Sequence, residues 1–210
     1  MMSTRDHILA AVRTALKDAP AVPEVPRDYR RDGDLAQGAV IEVLVDRLED
    51  YKAGVTVVAE AQVPDTIQGL LADAGTYVVP AGLNPAWFGW ETDLARVKYD
   101  GGSHGTLSVT ALDATDAVVT GSAVTVAESG TIILDGSPDQ GRRAISLIPD
   151  HHICVVHSSD IAQILPEALR RLDGTRPLTM ISGPSATSDI ELERVEGVHG
   201  PRRLDVIITT

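Results

Sequence analysis

The 210 residues include one cysteine, one phenylalanine and two tryptophans. The single thiol, Cys154, excludes an internal disulfide and any four-thiolate zinc or iron–sulfur site built from this chain alone. Aromatic residues make up only 3%, against a hydrophobic fraction of 43% carried mainly by Val, Ile, Leu and Ala. That mixture suits buried parallel strands under small-residue helices, and the length fits one substantial core, so a single α/β domain is expected. Basic residues are also scarce: 18 Lys and Arg stand against 30 Asp and Glu, for a formal net charge of −12. With no Lys/Arg run to form an electrostatic stripe, nucleic acid is not an expected partner. The apolar runs are short, far below the roughly 20 residues that span a bilayer. Met1-Met2-Ser3-Thr4 leads into an amphipathic pattern rather than an export signal, so a cytoplasmic protein is expected. No Gly-x-Gly-x-x-Gly or phosphate-loop pattern is present.

What is there reads as alternating elements. Ile8, Leu9, Val12, Ala15 and Leu16 share one helical face over residues 4 to 18. Pro20, Pro23, Pro26 and a charged run then mark an extended tether, placed to wrap the domain or a neighbouring subunit. Helical spacing from 34 to 51, a strand at 55–59, a helix at 65–74 and a strand at 76–79 have the form of a parallel crossover. Further strands are expected at 105–110, 117–120, 131–134, 153–157, 178–182 and 204–209, with a helix from 159 or 160 to 172. The aromatic cluster Trp87-Phe88-Gly89-Trp90 reads as packing at the sheet edge or as a ligand or partner surface. Cys154, within Ile153-Cys154-Val155-Val156, reads as an inert strand residue.

Four blocks carry chemistry. In Glu128-Ser129-Gly130-Thr131 a carboxylate, two hydroxyls and a glycine precede an apolar strand, which is ordinary turn chemistry or the border of a ligand site. Arg142 and His152 bring a guanidinium able to grip a carboxylate near an imidazole able to take a hydroxyl proton, a pairing sufficient for an α-hydroxy acid. The bland alternatives are a solvated Arg142 and a His152 that only satisfies backbone groups. His151-His152 is weak evidence for metal, since adjacent side chains on a strand point to opposite faces, and no metal ligands are assigned. Ser182-Gly183-Pro184-Ser185 through Asp189 crowds polar groups into one loop, part of it explained by the capping spacing of Ser188 and Glu191. His199, between Gly197 and Gly200, has room to face a ligand or to serve the turn.

Taken in order, Ala127-Glu128-Ser129-Gly130-Thr131, Gly141-Arg142, Ser146-Leu147-Ile148-Pro149, His152-Ile153, Ser182-Gly183-Pro184-Ser185, Asp189-Ile190-Glu191 and Gly197-Val198-His199-Gly200-Pro201 resemble the signature of the LutC/YkgG family, lactate utilisation protein C. The signature covers roughly residues 100 to 210. The resemblance implies a LUD domain over 34–210, preceded by an N-terminal helix and Pro-rich tether over 1–33. It implies a NagB/RpiA/CoA-transferase-like fold, with a mostly parallel sheet between helices. It also implies a component of an L-lactate oxidation system (L-lactate to pyruvate) that acts with iron–sulfur proteins of the LutA and LutB type. The clusters are expected in those partners and no cofactor on this chain; a LutC type, without the ferredoxin-like tail of the LutB type, is expected. The resemblance supplies no catalytic residue. The roles expected from the residues themselves are Glu128, His152 and His199 in catalysis, with Arg142, Ser129, Gly130, Thr131, Ser182, Gly183, Ser185 and Asp189 binding substrate. Two alternatives stay open: a CoA-transferase or ligase with Glu128 as nucleophile, and a non-catalytic assembly or regulatory module with a ligand pocket.

Overall fold

The computed structural model describes residues 3–17, 24–183 and 200–210. Among these the chain runs α1 (Thr4–Ala15), α2 (Gln37–Asp50), β1 (Gly54–Val58), α3 (Val63–Leu70), β2 (Tyr77–Pro80), β3 (Val97–Asp100), α4 (Val109–Asp113), β4 (Ala117–Thr120), β5 (Val124–Val126), β6 (Thr131–Leu134), α5 (Arg143–Leu147), β7 (His151–His157), β8 (Ile161–Ala162), α6 (Leu165–Arg170), β9 (Thr179–Ser182) and β10 (Arg203–Thr209). Six strands form one sheet in the order β1-β10-β7-β4-β2-β3, with every pairing parallel. Four form a smaller mixed sheet, β8-β5-β6-β9. The α/β class with a parallel sheet between helices is as expected.

The middle of the large sheet is apolar on both sides because β4, β7 and β10 are largely runs of aliphatic, mostly β-branched residues. Along β7, Cys154 and Val156 join α2 (Val40, Leu44, Leu48) on one face, while Ile153 and Val155 join α3 (Val63, Ile67) on the other. The small sheet is packed in the same way. Ile132 and Leu134 meet the α2 cluster, and Ile133 faces Val124, Val126 and Ala168 of α6. Trp87 is buried in the α3 cluster with its indole N–H donating to Glu60 Oε1 at 3.3 Å, and Phe88 stacks on Tyr77 at 5.9 Å between centroids. The aromatic cluster is therefore packing. Cys154 is fully buried, and burial pushes its thiol up to about 12, which keeps it an unreactive core group.

Two expectations fail in the middle of the chain. The strand expected at 105–110 is a loop leading into α4, capped where Ser108 Oγ accepts from the Ala111 N–H at 3.1 Å; the edge strand is β3, at 97–100. The long helix expected to begin at 159 or 160 is instead the two-residue β8 followed by α6. Pro166 explains the second: it fits the first turn of a helix but would break an interior, so the helix begins beside it. The short strand β5 carries no separate signal in the expectation.

The tether ends in a clasp. Gln163 Oε1 accepts the N–H groups of Asp34 and Leu35 at 2.8 Å each, Glu167 Oε1 accepts that of Gly33 at 2.8 Å, and Arg170 pairs with Asp32 at 2.6 Å. Residues 32–35 are thus fixed to β8 and α6 of the same chain.

At the amino end of the large sheet, Asp205 holds His151 Nε2 at 2.7 Å and Arg203 Nε at 2.6 Å. Burial alone would raise the Asp205 carboxyl, but His151 and Arg203 outweigh it and hold it below the usual carboxylate value. A carboxyl with a depressed folded pKa adds stability above its unfolded value and loses it as pH falls through the folded one. Asp205→Asn should therefore cost about 1–3 kcal/mol at neutral pH, and urea unfolding should show that difference shrinking as the pH drops below the carboxylate range.

Candidate functional site

The crossovers leaving β2 and β4 run in opposite directions, β2 to the outer strand β3 and β4 back across the sheet to β7, although β2 and β4 are neighbours. That reversal opens a crevice at the carboxyl ends of the two strands, the position at which open parallel sheets take ligands. The loop 135–141 lies across it. The Gly82 N–H donates to the Pro138 carbonyl at 3.0 Å, and the Gly121 N–H to the Asp139 carbonyl at 3.0 Å. A Cβ at Gly82 would collide with the Pro138 backbone, so only glycine there permits the loop to sit this close, whereas a Cβ at Gly121 would meet only the tip of the Asp139 side chain.

Beside this loop is a cavity of about 770 Å³, within the size range of small-molecule sites. Its walls come from the carboxyl ends of β2 and β3 (Gly82, Asp100), from the start of α5 (Arg142, Arg143), and from the end of β6 with the segment before β9 (Asp135, Arg176). Both sheets contribute, because Leu134 at the end of β6 pairs with Thr179 at the start of β9.

Three arginines reach this space, and two of them are committed. Arg142 forks onto Asp100, Nε to Oδ1 at 2.9 Å and Nη2 to Oδ2 at 2.8 Å, and Nη2 also donates to the Leu107 carbonyl at 2.6 Å. Burial would raise the Asp100 carboxyl, but Arg142 and the Leu107 N–H outweigh that and hold it low, so the pair stays ionised. Arg176 Nη1 pairs with Asp135 Oδ2 at 2.8 Å and Ser137 Oγ at 3.1 Å. Arg143 is exposed and has no acidic partner among the described residues. Among the described residues the cavity therefore carries one cation without an acidic partner, in a chain of net charge −12, an arrangement suited to a small carboxylate or other anion.

Known proteins agree with this architecture. The family profile of the LUD domain matches residues 105–209. A lactate utilization protein C of Deinococcus radiodurans is 46% identical over 206 residues, covering 96% of this chain and 93% of that protein. The chain belongs to the lactate utilization protein C family of LUD-domain proteins. A lactate utilization protein C of Anoxybacillus flavithermus is 29% identical over 206 residues, covering 95% of this chain and 92% of its own. A crystal structure of a DUF162 family protein from Deinococcus radiodurans matches with a TM-score of 0.72 and 41% identity, over 84% of this chain and all of the other. The LUD match begins at Gly105, so it includes the wall formed by Asp135, Arg142, Arg143 and Arg176, while Gly82 and Asp100 precede it.

Among the candidate residues that the structure describes, only Arg142 lines this LUD-domain cavity. Glu128 lies beyond the opposite end of β6, roughly 10 Å away for a strand of that length. There it pairs with Arg30 of the tether and accepts from Gln163 Nε2 at 3.1 Å, which makes it part of the clasp. Ser129, Thr131 and Ser182 form a chain of hydroxyls, 2.8 Å at each step, that ties β6 to β9. Gly130 and Gly183 both have positive φ and both pack on Tyr51, where a Cβ at Gly183 would come within 2.6 Å of the Tyr51 Cβ. His152 is fully buried, its Nε2 2.8 Å from Thr120 Oγ1, and its Nδ1 finds no partner among the described residues. Ser185, Asp189 and His199 lie outside the described residues. The expected cluster of Glu128, Arg142 and His152 thus divides into a clasp, a cavity wall and a core contact.

Asp100, Asp135 and Arg176 went unrecognised in the sequence. Their signal was available: Asp100-Gly101-Gly102 and Asp135-Gly136 are each an acid and a glycine directly after a strand. Misplacing the edge strand at 105–110 hid the first of these.

Burial, with the neighbouring His151, pushes the His152 imidazole down to about 4, so the folded protein holds it neutral. The unfolded chain takes up a proton near pH 6.5 that the folded one refuses, so stability is lost as pH falls below the unfolded value. Wild-type protein should lose about 1–2 kcal/mol between pH 7 and 5 from this group. In His152→Gln, chemical unfolding across that range should show a correspondingly flatter slope.

Proposed function

We propose that this chain is the non-cluster component of an L-lactate oxidation system, holding the hydroxy acid in the arginine-lined cavity while iron–sulfur partners of the LutA and LutB type receive the electrons. The observation that carries this reading is Arg143, a guanidinium with no acidic partner among the described residues, in a cavity at the carboxyl edge of the sheet beside an Arg142 fixed by Asp100. A carboxylate bound at Arg143 replaces water with a charge-assisted contact. The names of the relatives support lactate utilization as the setting.

Conversion of lactate to pyruvate releases two electrons and two protons, and the electrons need an acceptor. This chain's one thiol is buried, so clusters on partner proteins are the acceptors in this proposal. A cavity of about 770 Å³ is far larger than a three-carbon acid and leaves its mouth open for such a partner to approach. Among the described residues no helix is long and apolar enough to cross a membrane, and we place the system in the cytoplasm.

The test is lactate-dependent dye reduction by the reconstituted three-protein system. Omitting this chain should abolish activity, and Arg143→Ala should raise the lactate concentration needed for half-maximal rate by about tenfold to a hundredfold. Undiminished activity without the chain would overturn the proposal. Loss on omission combined with a normal Arg143→Ala variant would reject the cavity as the hydroxy-acid site and leave the chain an organiser of its partners.

A further inference from the structure

The N-terminal helix has no cover in the structure. No residue of α1 is buried, and Ile8, Val12 and Leu16, one helical turn apart on a single face, are 60%, 49% and 64% exposed. The helix is nonetheless well formed at its start, where Ser3 Oγ accepts from the Asp6 N–H at 3.2 Å and Asp6 accepts in return from Ser3. A helix of 12 residues is marginal in water without a surface to pack on. The stripe therefore implies a complementary apolar face.

The same chain carries one, far along the sequence. Between α2 and the edge strand β1 runs an open groove of about 500 Å³ with Ile41, Val45 and Val57 as its apolar floor. Val57 is 46% exposed, and a Cβ built on Gly38 meets nothing within 4 Å, so one end of the groove is open to close approach. The rim is acidic: Glu42, Asp46 and Glu49 line it, and Asp46 is partly answered by Arg47 at 3.1 Å. Helix α1 and the turn after it carry Arg5, Arg13 and Lys17 against the single acid Asp6. On a molecule of net charge −12, α1 is a basic segment, and the groove pairs an apolar floor with the opposite charge. In the structure α1 does not occupy its own groove.

We propose that α1 of one chain docks into the α2–β1 groove of a second copy, with the reciprocal contact closing a two-fold dimer. Ile8, Val12 and Leu16 meet Ile41, Val45 and Val57, and Arg5, Arg13 and Lys17 face Glu42 and Glu49. Each docked helix also covers the flank of an edge strand, which would otherwise stay open to unwanted pairing.

Charge reversal tests this on the full chain by sedimentation velocity. Wild-type protein should be a dimer that weakens with added salt. Arg5→Glu/Arg13→Glu/Lys17→Glu and Glu42→Lys/Glu49→Lys should each be monomeric and, because they change only exposed side chains, should unfold at the wild-type temperature. Mixed together, the two variants should form a heterodimer, because the reversed helix now meets the reversed groove and the unreversed helix meets the unreversed groove. Ile8→Asp/Val12→Asp should weaken dimerisation at least about a hundredfold. A monomeric wild type, whether α1 packs on its own chain or waits for a different protein, overturns the proposal. So does a dimer indifferent to both reversals, or a mixture that stays monomeric.

Discussion

A parallel sheet covered on both faces leaves charge nowhere to go but the strand ends. In this chain Ile153, Cys154, Val155 and Val156 alternate between two apolar clusters, one under α2 and one under α3, and His152 survives among them only as a neutral ring against Thr120. The titratable and basic side chains sit at the ends: His151, Arg203 and Asp205 at the amino edge, Asp100, Asp135, Arg142 and Arg176 at the carboxyl edge. The cavity lies at the carboxyl edge because the chain reverses direction between β2 and β4 there and leaves a gap that a loop must cross.

The small sheet shapes that edge further. It grows out of the connection between β4 and β7, returns after β7, and puts the end of β6 against the start of β9 beside the crevice. Fixing an arginine by an aspartate costs its charge but gains its position, since Arg142 and Arg176 become rigid parts of the wall. Arg143, next in sequence to Arg142, stays outside that pairing and has no acidic partner among the described residues. At the other end of β6 the same sheet serves the tether, where Glu128, Gln163 and Glu167 hold backbone and side chain of residues 30–35. Two ends of one short strand thus have unrelated tasks.

Much of this architecture was legible in the residues. Continuous β-branched runs placed β4 and β6 where the structure has them, and the order of motifs identified the family before any coordinate. Where the structure departs from the sequence pattern, caps and prolines override apolar spacing. Residues 105–110 enter a helix because Ser108 is its cap, and the apolar spacing from Ile161 to Leu172 is helical only beyond Pro166, which fixes the start. The site was harder still. Glu128 and Arg142 occur in neighbouring motifs, yet a strand separates them, and no local pattern reveals that an arginine's partner is an aspartate 42 residues earlier. His152 sits beside a titratable neighbour in sequence, but its environment is decided by which face of β7 it occupies.

The cavity's walls are carried by different bodies: Arg143 rides on α5, which packs on the large sheet through Ile145, while Arg176 leads into β9 of the small one. Mechanically this makes the site a joint. An anion held between Arg143 and the fixed wall at Arg176 would brace one sheet against the other, so that occupancy would be felt as stiffness in backbone far from the ligand, read as slower amide exchange along β6 and β9.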